Sequence, residues 1–416
     1  MTEPDGSVLL SAALIVRDEA EHLRGCLDSL DGLVDEIVVV DTGSTDGSPD
    51  IAASAGAHVT HLPWTGDFSA ARNAAVDRCR GRWILYIDAD ERVRPGAAAA
   101  TRAVLETSDA LGLLVEFTPA TGFTWYRECR LFRNDPAIRF ERPIHERVVP
   151  AIERLGRARS SGGATGPGSV PGTGLTSGAV WGRVPLHLDH LGYDHDRPSR
   201  HRRDLPLLEG ELAHRPGDVS TWYRLGVARA GLGDGAGAEE AWRQGDRASA
   251  AEGDTHPLGG MCLVELVRLS VERDRDPGAL LAGAVARFPR NRLLAWHRAR
   301  HLLATGDLRG AAAAFGALAA TDLDALAGEG LAYDARLFGS WAHDGAGAAA
   351  FALEEYEAAA AAYAAAEAAE PGVLGYRVKR VAAARRAEAV RSQAVRSQAG
   401  RARPGYAATV PTRRAG

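Results

Sequence analysis

The chain has 416 residues, 45% of them hydrophobic and 25% charged, with a formal net charge of −5. That length exceeds one ordinary core and asks for two domains. The composition is that of a soluble protein, no apolar run of about 18 residues offers a membrane span, and the scattered basic residues leave no footprint for nucleic acid.

The opening MTEPDGSVLLSAALIV has neither a basic n-region nor a small-residue cleavage site, which argues against a signal peptide and for a cytoplasmic protein. LLSAALIV (9–16) reads as a strand, EAEHLRGCLDSL (19–30) as an amphipathic helix and DEIVVVD (35–41) as a second strand. A helix over 48–55, a short strand over 57–62, a helix over 68–80 and the strand WILYID (83–88) continue the alternation. Alternation of this kind predicts an α/β fold whose mainly parallel sheet is covered by helices on both faces. Such sheets bind ligands at the carboxyl ends of their strands.

From Leu111 to Arg147 the texture changes to short strand-like runs, LGLLVEF, WYRECRLFR, AIRFER and IHERVV, expected as antiparallel additions. Residues 157–180 are rich in Gly, Ser, Pro and Thr and read as a flexible loop, after which WGRVPLHLDH (181–190) returns as a strand. Beyond Ser199 strands give way to alanine-rich helical patterns. WYRLGVARAGLGDGAGAEEAW resembles a tetratricopeptide repeat through Trp222, Leu225, Gly226, Ala238 and Trp242. Gly306, Asp307, Ala311 and Phe315 match the turn and second helix of another unit, and Tyr356, Ala359, Tyr363, Ala366 and Pro371 match a third. The expected organisation is a sheet domain over 1–200, a helical repeat domain over 201–372, and a partly helical, largely disordered tail over 373–416 that includes the tandem VRSQAVRSQAG. Cys26, Cys79, Cys129 and Cys262 stand far apart with no CxxC pair, and are expected to be reduced, buried fillers.

The chemistry concentrates in ILYIDADERV (84–93). If strand geometry continues past Ile87, Asp88 and Asp90 share one side, and two carboxylates at a strand's carboxyl end suit a hard cation such as Mg²⁺ or Mn²⁺. The same acids also suit a helix cap, with Asp88 merely ending a strand.

The segments LIVRDEAEHLRGCLDSL, VDEIVVVDTGSTDGS and DFSAARNAAVDRCRGRWILYIDADE reproduce, in order, the motif string of family 2 glycosyltransferases with the GT-A fold. The resemblance covers residues 8 to 200. The TGSTD turn, the DFSAARN helix start and the RLFR and IHE segments are most similar to the subfamily carrying tetratricopeptide repeats, some members of which glycosylate peptides, including cysteines of bacteriocins. The resemblance implies a GT-A catalytic domain followed by the repeats, and a metal-dependent, inverting transfer from a nucleotide-sugar, a UDP-sugar first, to a peptide or protein side chain or a surface saccharide.

It also implies roles. Asp41 accepts a hydrogen bond from uracil, though an Asp in DTGSTD also suits turn stabilisation. Arg17 and Glu19 border the nucleotide pocket, and Arg72 contacts base or phosphate. Asp88 contacts ribose, Asp90 ligates the metal, and His190 of HLDHLGY is preferred to His187 as a further ligand. Glu146 in FERPIHERV is the candidate base, with His145 orienting acceptor or phosphate. Arg142 stands where a glycine is common, and Glu128 is the reserve base unless it pairs with Arg130 or Arg133. Asp67 and Asn73 read as structural, and Trp64, Trp125 and Tyr126 as packing aromatics able to stack on a sugar. The repeats imply an acceptor surface or a homodimer. A competing reading is a repeat scaffold whose transferase-like domain only binds nucleotide; a nucleotidyltransferase is disfavoured because LIVRDEAEH has no glycine-rich phosphate loop.

Overall fold

In the computed structural model, residues 8–160, 168–170, 175–177, 180–191 and 198–401 are described. Much of the expected loop 157–180, the Gly192–Tyr193 end of HLGY and the closing residues 402–416 lie outside them.

Ten strands are formed among the described residues: β1 (Leu10–Val16), β2 (Glu36–Asp41), β3 (His58–His61), β4 (Trp83–Tyr86), β5 (Glu91–Val93), β6 (Gly112–Thr118), β7 (Tyr126–Arg133), β8 (Gly168–Val170), β9 (Leu175–Ser177) and β10 (Trp181–His190). Eight make one mixed sheet in the order β3-β2-β1-β4-β7-β6-β10-β5, and β8 and β9 pair separately. The pairs around β1 and β2 are parallel, as is β6 with β10, whereas β7 runs antiparallel to both its neighbours and β5 antiparallel to β10. Helices α1 (Ala20–Ser29), α2 (Ser48–Ser54), α3 (Phe68–Val76), α4 (Ala98–Thr107) and α5 (Val149–Ser160) connect and cover it.

Strand alternation divides the core in two. Leu10, Ala12, Leu14 and Val16 of β1 join Leu23 and Leu27 of α1 and Leu105 of α4 in one cluster. Ala13 joins Ala75 and Val76 of α3 and Ile152 of α5 in the other. A central strand buried on both faces is apolar at nearly every position, and the one polar residue of LSAALIV, Ser11, is satisfied by donating its hydroxyl to Glu36 Oε2 at 2.5 Å.

Three expectations are corrected. AIRFER and IHERVV do not add strands: only an isolated bridge, Glu141 to Arg147, forms there. Arg142 (φ 83°) and His145 (φ 52°) adopt left-handed conformations on either side of Pro143 and break the extended run. β4 stops at Tyr86, and Glu91 opens β5 at the far edge of the sheet, so Asp88 and Asp90 sit in a turn and do not share a strand face. The tandem VRSQ segment is helical, within one helix over Leu374–Arg401, whose long alanine- and arginine-rich run favours that state. Of 157–180, the described residues comprise the end of α5, to Ser160, the paired strands β8 and β9, and Val180.

The remaining helices are α6 (Pro198–His214), α7 (Val219–Gly231), α8 (Gly235–Ala251), α9 (Pro257–Glu272), α10 (Gly278–Arg287), α11 (Arg292–Thr305), α12 (Leu308–Ala319), the short α13 (Leu323–Leu326), α14 (Ser340–Ala352), α15 (Tyr356–Ala369) and α16 (Leu374–Arg401). The three repeat matches fall on α7/α8, α11/α12 and α14/α15, and the turns of the first two are built alike. Gly233 and Gly306 take positive φ, and Asp234 and Asp307 cap α8 and α12 through the amides of Gly237 and Gly310. Gly226 and Gly347 let helices approach: a Cβ on Gly226 would lie 2.2 Å from Trp242 Nε1, and one on Gly347 would lie 2.7 Å from Tyr363 Cε1.

By contacts the chain divides into two compact units, residues 1–294 with 322–335, and residues 295–321 with 336–416. The sheet domain and the first repeat helices therefore lie in one unit. The cause is a shared apolar cluster in which Ile144 and Phe68 pack with Leu208, Leu212, Leu225 and Ala241. All four cysteines are buried and free, and burial raises each thiol's pKa. Among the described residues no helix is long and apolar enough to cross a membrane.

Candidate active site

The carboxyl ends of β1, β2 and β4 carry the loops that hold the candidate residues, as the sheet's topology requires. Two loops are laced together first. The Asp18 amide donates to Ser44 Oγ (2.9 Å), the Thr45 amide to Asp18 Oδ1 (2.6 Å), and the Glu19 amide to Ser48 Oγ (2.9 Å). Asp41, at the end of β2, accepts from the amides of Gly43 and Ser44 at 3.2 Å and faces His61 Nδ1 at 3.1 Å. Burial opposes its ionisation, but these hydrogen bonds outweigh it and hold the pKa below the ordinary value. The turn does not exhaust the carboxylate, which has more acceptor sites than the turn uses. Gly43 takes φ 105° in that turn, a conformation open to glycine.

Arg72, in the first turns of α3, is the centre of a second cluster. Its Nη2 donates to Asp88 Oδ1 at 2.8 Å and its Nε to Glu146 Oε1, while its Nη1 is buried with no partner among the described residues. Its guanidinium lies 5.3 Å from the Tyr86 ring centroid and 5.7 Å from that of Phe140. Burial works against the Asp88 charge, yet Arg72 and Arg130 bring its pKa down to about 2. Asp67 caps α3, and the Asn73 side chain brackets the Phe140 backbone through both its amide nitrogen (2.9 Å) and its oxygen (2.8 Å), structural roles as expected.

A row of side chains crosses the neighbouring strands β4, β7, β6 and β10. Arg130 lies 4.7 Å from the ring centroids of both Tyr86 and Phe117, and Phe117 lies 6.1 Å from His190. Leu113 pairs with Leu131 and Leu114 with Cys129, so Arg130 is the extra residue of a β-bulge. Bulges re-aim side chains beside active sites, and here one buries an arginine. Arg130 Nη2 donates to Glu91 Oε1 at 2.7 Å, and Glu91 Oε2 accepts the Asp88 amide at 2.9 Å. Burial raises the Glu91 carboxyl, against the pull of Arg130. Sequence reasoning missed this Glu91–Arg130 pair. The available signal was an arginine inside the apolar run ECRLF and an acid directly after DAD.

At the end of the row Asp90 Oδ2 lies 3.4 Å from His190 Nε2. Burial lowers the His190 pKa although Asp90 and Asp88 raise it, so the imidazole is neutral at pH 7. His187 is engaged elsewhere, with Thr118 Oγ1 at 2.7 Å and Glu116 Oε2 at 3.2 Å. Asp90 and His190 offer one oxygen and one nitrogen donor, and among the described residues no group of three His, Cys, Asp or Glu could hold a metal. Such a pair fits a divalent cation that arrives on phosphate oxygens better than a resident ion.

The other candidates are dispersed. Arg17 is exposed beyond β1, and no ion pair among the described residues joins it to the Arg72 cluster. Glu19 stands at the N-cap position of α1 and makes no side-chain capping hydrogen bond there. Burial and then the charges of Arg224, Arg200, Arg142 and Arg203 hold His145 well below its ordinary pKa. Glu128 Oε2 is 3.3 Å from Arg130 Nε, one of the two pairings weighed against a role as reserve base. Trp64 packs on Phe68, Tyr126 on Phe117, and Arg127 lies over Trp125.

Residues 11–161 match the family model described as glycosyl transferase family 2. The chain is 39% identical over 241 residues to a TPR repeat-containing protein of Synechococcus elongatus, covering 57% of this chain and 56% of that one. It is 28% identical over 150 residues to the SPbeta prophage-derived glycosyltransferase SunS of Bacillus subtilis, covering 35% of this chain and 36% of that one. It is 32% identical over 167 residues to the lipopolysaccharide core biosynthesis glycosyltransferase LpsC of Rhizobium meliloti, covering 36% and 60%. The chain thus spans only 36% to 60% of the length of these relatives. Among solved structures, glucosyl-3-phosphoglycerate synthase of Mycobacterium tuberculosis, crystallised with Mn²⁺, uridine diphosphate and glucosyl-3-phosphoglycerate, is 26% identical over 28% of this chain and 45% of that one. Its TM-score is 0.24, too low to relate the two sites.

Proposed function

We propose that the chain, whose residues 11–161 match the glycosyl transferase family 2 model, is a metal-dependent, inverting glycosyltransferase. It moves a sugar from a UDP-sugar to a peptide or protein side chain or a surface saccharide. The observation that carries the reading is the bridging of Asp88 and Glu146 by Arg72, whose third nitrogen is buried without a partner among the described residues. A buried guanidinium with a spare donor suits an anionic ligand, and a diphosphate supplies the acceptor it lacks.

Asp41 takes the uracil imide, Asp88 the ribose, and Arg17 and Glu19 the rim of the nucleotide pocket. Asp90 and His190 hold the divalent cation, Mg²⁺ or Mn²⁺, which supplies Lewis-acid charge at the diphosphate when bound. Glu146 acts as general base: with Oε1 taken by Arg72, Oε2 keeps lone pairs for the acceptor proton. As that proton transfers, the acceptor atom bonds to the anomeric carbon, and the bond to the diphosphate breaks on the opposite side with its electron pair leaving on phosphate oxygen. His145, held neutral, orients acceptor or phosphate. The repeat helices are the region that would hold a peptide acceptor or a second copy of the chain.

UDP release from a panel of UDP-sugars, followed with Mn²⁺ and with chelator, tests the reading. Metal-dependent release from one donor supports it, and release from none, with no nucleotide bound, removes it.

A further inference from the structure

Arg142 connects the loop that carries Glu146 to the first repeat helices. Its Nη1 donates to Asp218 Oδ2 at 2.6 Å and its Nε lies 3.8 Å from Glu211 Oε1. Asp218 is the N-cap of α7, where its Oδ1 accepts the amide of Thr221 at 2.8 Å, so one carboxylate serves the helix and the loop with separate oxygens. Glu211 lies on α6 and is buried.

The loop is held equally from the other side. Ser69 Oγ donates to the Arg142 carbonyl at 2.5 Å, the Phe68 amide donates to the Pro143 carbonyl at 2.8 Å, and Arg72 reaches Glu146. Between the two anchors the backbone carries two left-handed non-glycine residues, Arg142 at φ 83° and His145 at φ 52°. Such conformations persist where the surroundings over-determine them. Glycine would take φ 83° without strain, yet this chain places an arginine there and satisfies it with two acids from α6 and α7. Ile144, between the strained residues, is buried against Leu208, Leu212 and Leu225 of the same helices.

The geometry points to Arg142 as a positioning residue: through Asp218 and Glu211 it clamps the 142–146 loop to the repeat helices, and so sets the Glu146 carboxylate against Arg72. The inference rests on Glu146 being the base. It gives α6 and α7 a part in the transfer reaction, distinct from any acceptor surface that the repeats provide.

The test uses the full chain as wild type and as Asp218→Asn, Arg142→Gly and Arg142→Lys. Asparagine keeps the N-cap of α7 while removing the charge that Arg142 meets, and glycine suits the backbone, so these variants remain folded. Hydrogen exchange is read at the amides of Arg147 and Phe68, which bond to Glu141 and Pro143 across the loop, beside nucleotide affinity and turnover. Asp218→Asn and Arg142→Gly are expected to speed exchange at both amides several-fold and to lower kcat by about 10- to 100-fold at unchanged UDP affinity, with partial rescue in Arg142→Lys. Unchanged exchange, or faster exchange with unchanged kcat, overturns the inference. If the wild type turns over no donor, the proposed function falls, while the exchange comparison still decides whether Arg142 clamps the loop.

Discussion

Asp90 Oδ2 and His190 Nε2 lie 3.4 Å apart because β5 runs antiparallel to β10 with Glu91 opposite His190. The edge strand that follows the DAD turn thus delivers the carboxylate to the imidazole. On the proposed function, Asp90→Ala and His190→Ala each reduce UDP affinity in Mn²⁺ to the value that wild type shows with chelator. Calorimetric titration reads this directly, and a variant that keeps the full metal effect removes its residue from the cation site.

Glu146→Gln keeps the shape of the side chain and its acceptor oxygen for Arg72, but it cannot take a proton. Donor affinity should stay at the wild-type value while turnover falls by about 10²- to 10⁴-fold, the range for losing a general base. Turnover within threefold of wild type would place the base elsewhere.

Acid stability reports on Asp88. Against the effect of burial, Arg72 and Arg130 hold its folded pKa at about 2, below the ordinary aspartate value, so the charge stabilises the fold fully above pH 4 and the contribution is lost as pH falls through 2. Asp88→Asn should therefore be less stable than wild type near pH 7, with the gap in denaturant midpoint closing as pH drops from 4 to 2. A gap constant over that interval would show that Arg72 does not stabilise the ionised form.

The repeat packing is tested by Gly226→Ala. The added methyl would meet Trp242 Nε1 at 2.2 Å, on a ring that also donates to the Tyr223 carbonyl at 3.1 Å. Overpacking of this kind costs about 1–3 kcal/mol, to be read as a lower denaturant midpoint. A neutral result would mean that Trp242 turns aside at little cost.

Much of the fold was legible because its signals are local. LSAALIV and EIVVVD are buried parallel strands, and the glycine, aspartate and small-residue spacings of the helical half are those of its turns and close crossings. The candidate site residues stand out singly in the sequence, but the contacts that join them do not. Nothing in the order of the chain says that Arg72 reaches Asp88 and Glu146 together, because that depends on how far α3 lies from the 142–146 loop. The Arg130 bulge was hidden for a related reason: one inserted residue changes register without changing composition. AIRFER and IHERVV misled because their residue types favour strands while Arg142 and His145 are held in left-handed conformations by tertiary contacts. The VRSQ tandem misled in the other direction, since polar composition suggested disorder where alanine and arginine sustain a helix.

The central claim is that the loops around Asp41, Arg72, Asp88 and Asp90 form a site for a nucleoside diphosphate and a divalent cation. The most direct measurement is calorimetric titration of the full chain with UDP, GDP and dTDP, each with Mn²⁺ and again with chelator. Saturable binding that favours UDP and weakens on chelation is expected. Absence of binding by all three nucleotides in the presence of Mn²⁺ would contradict it.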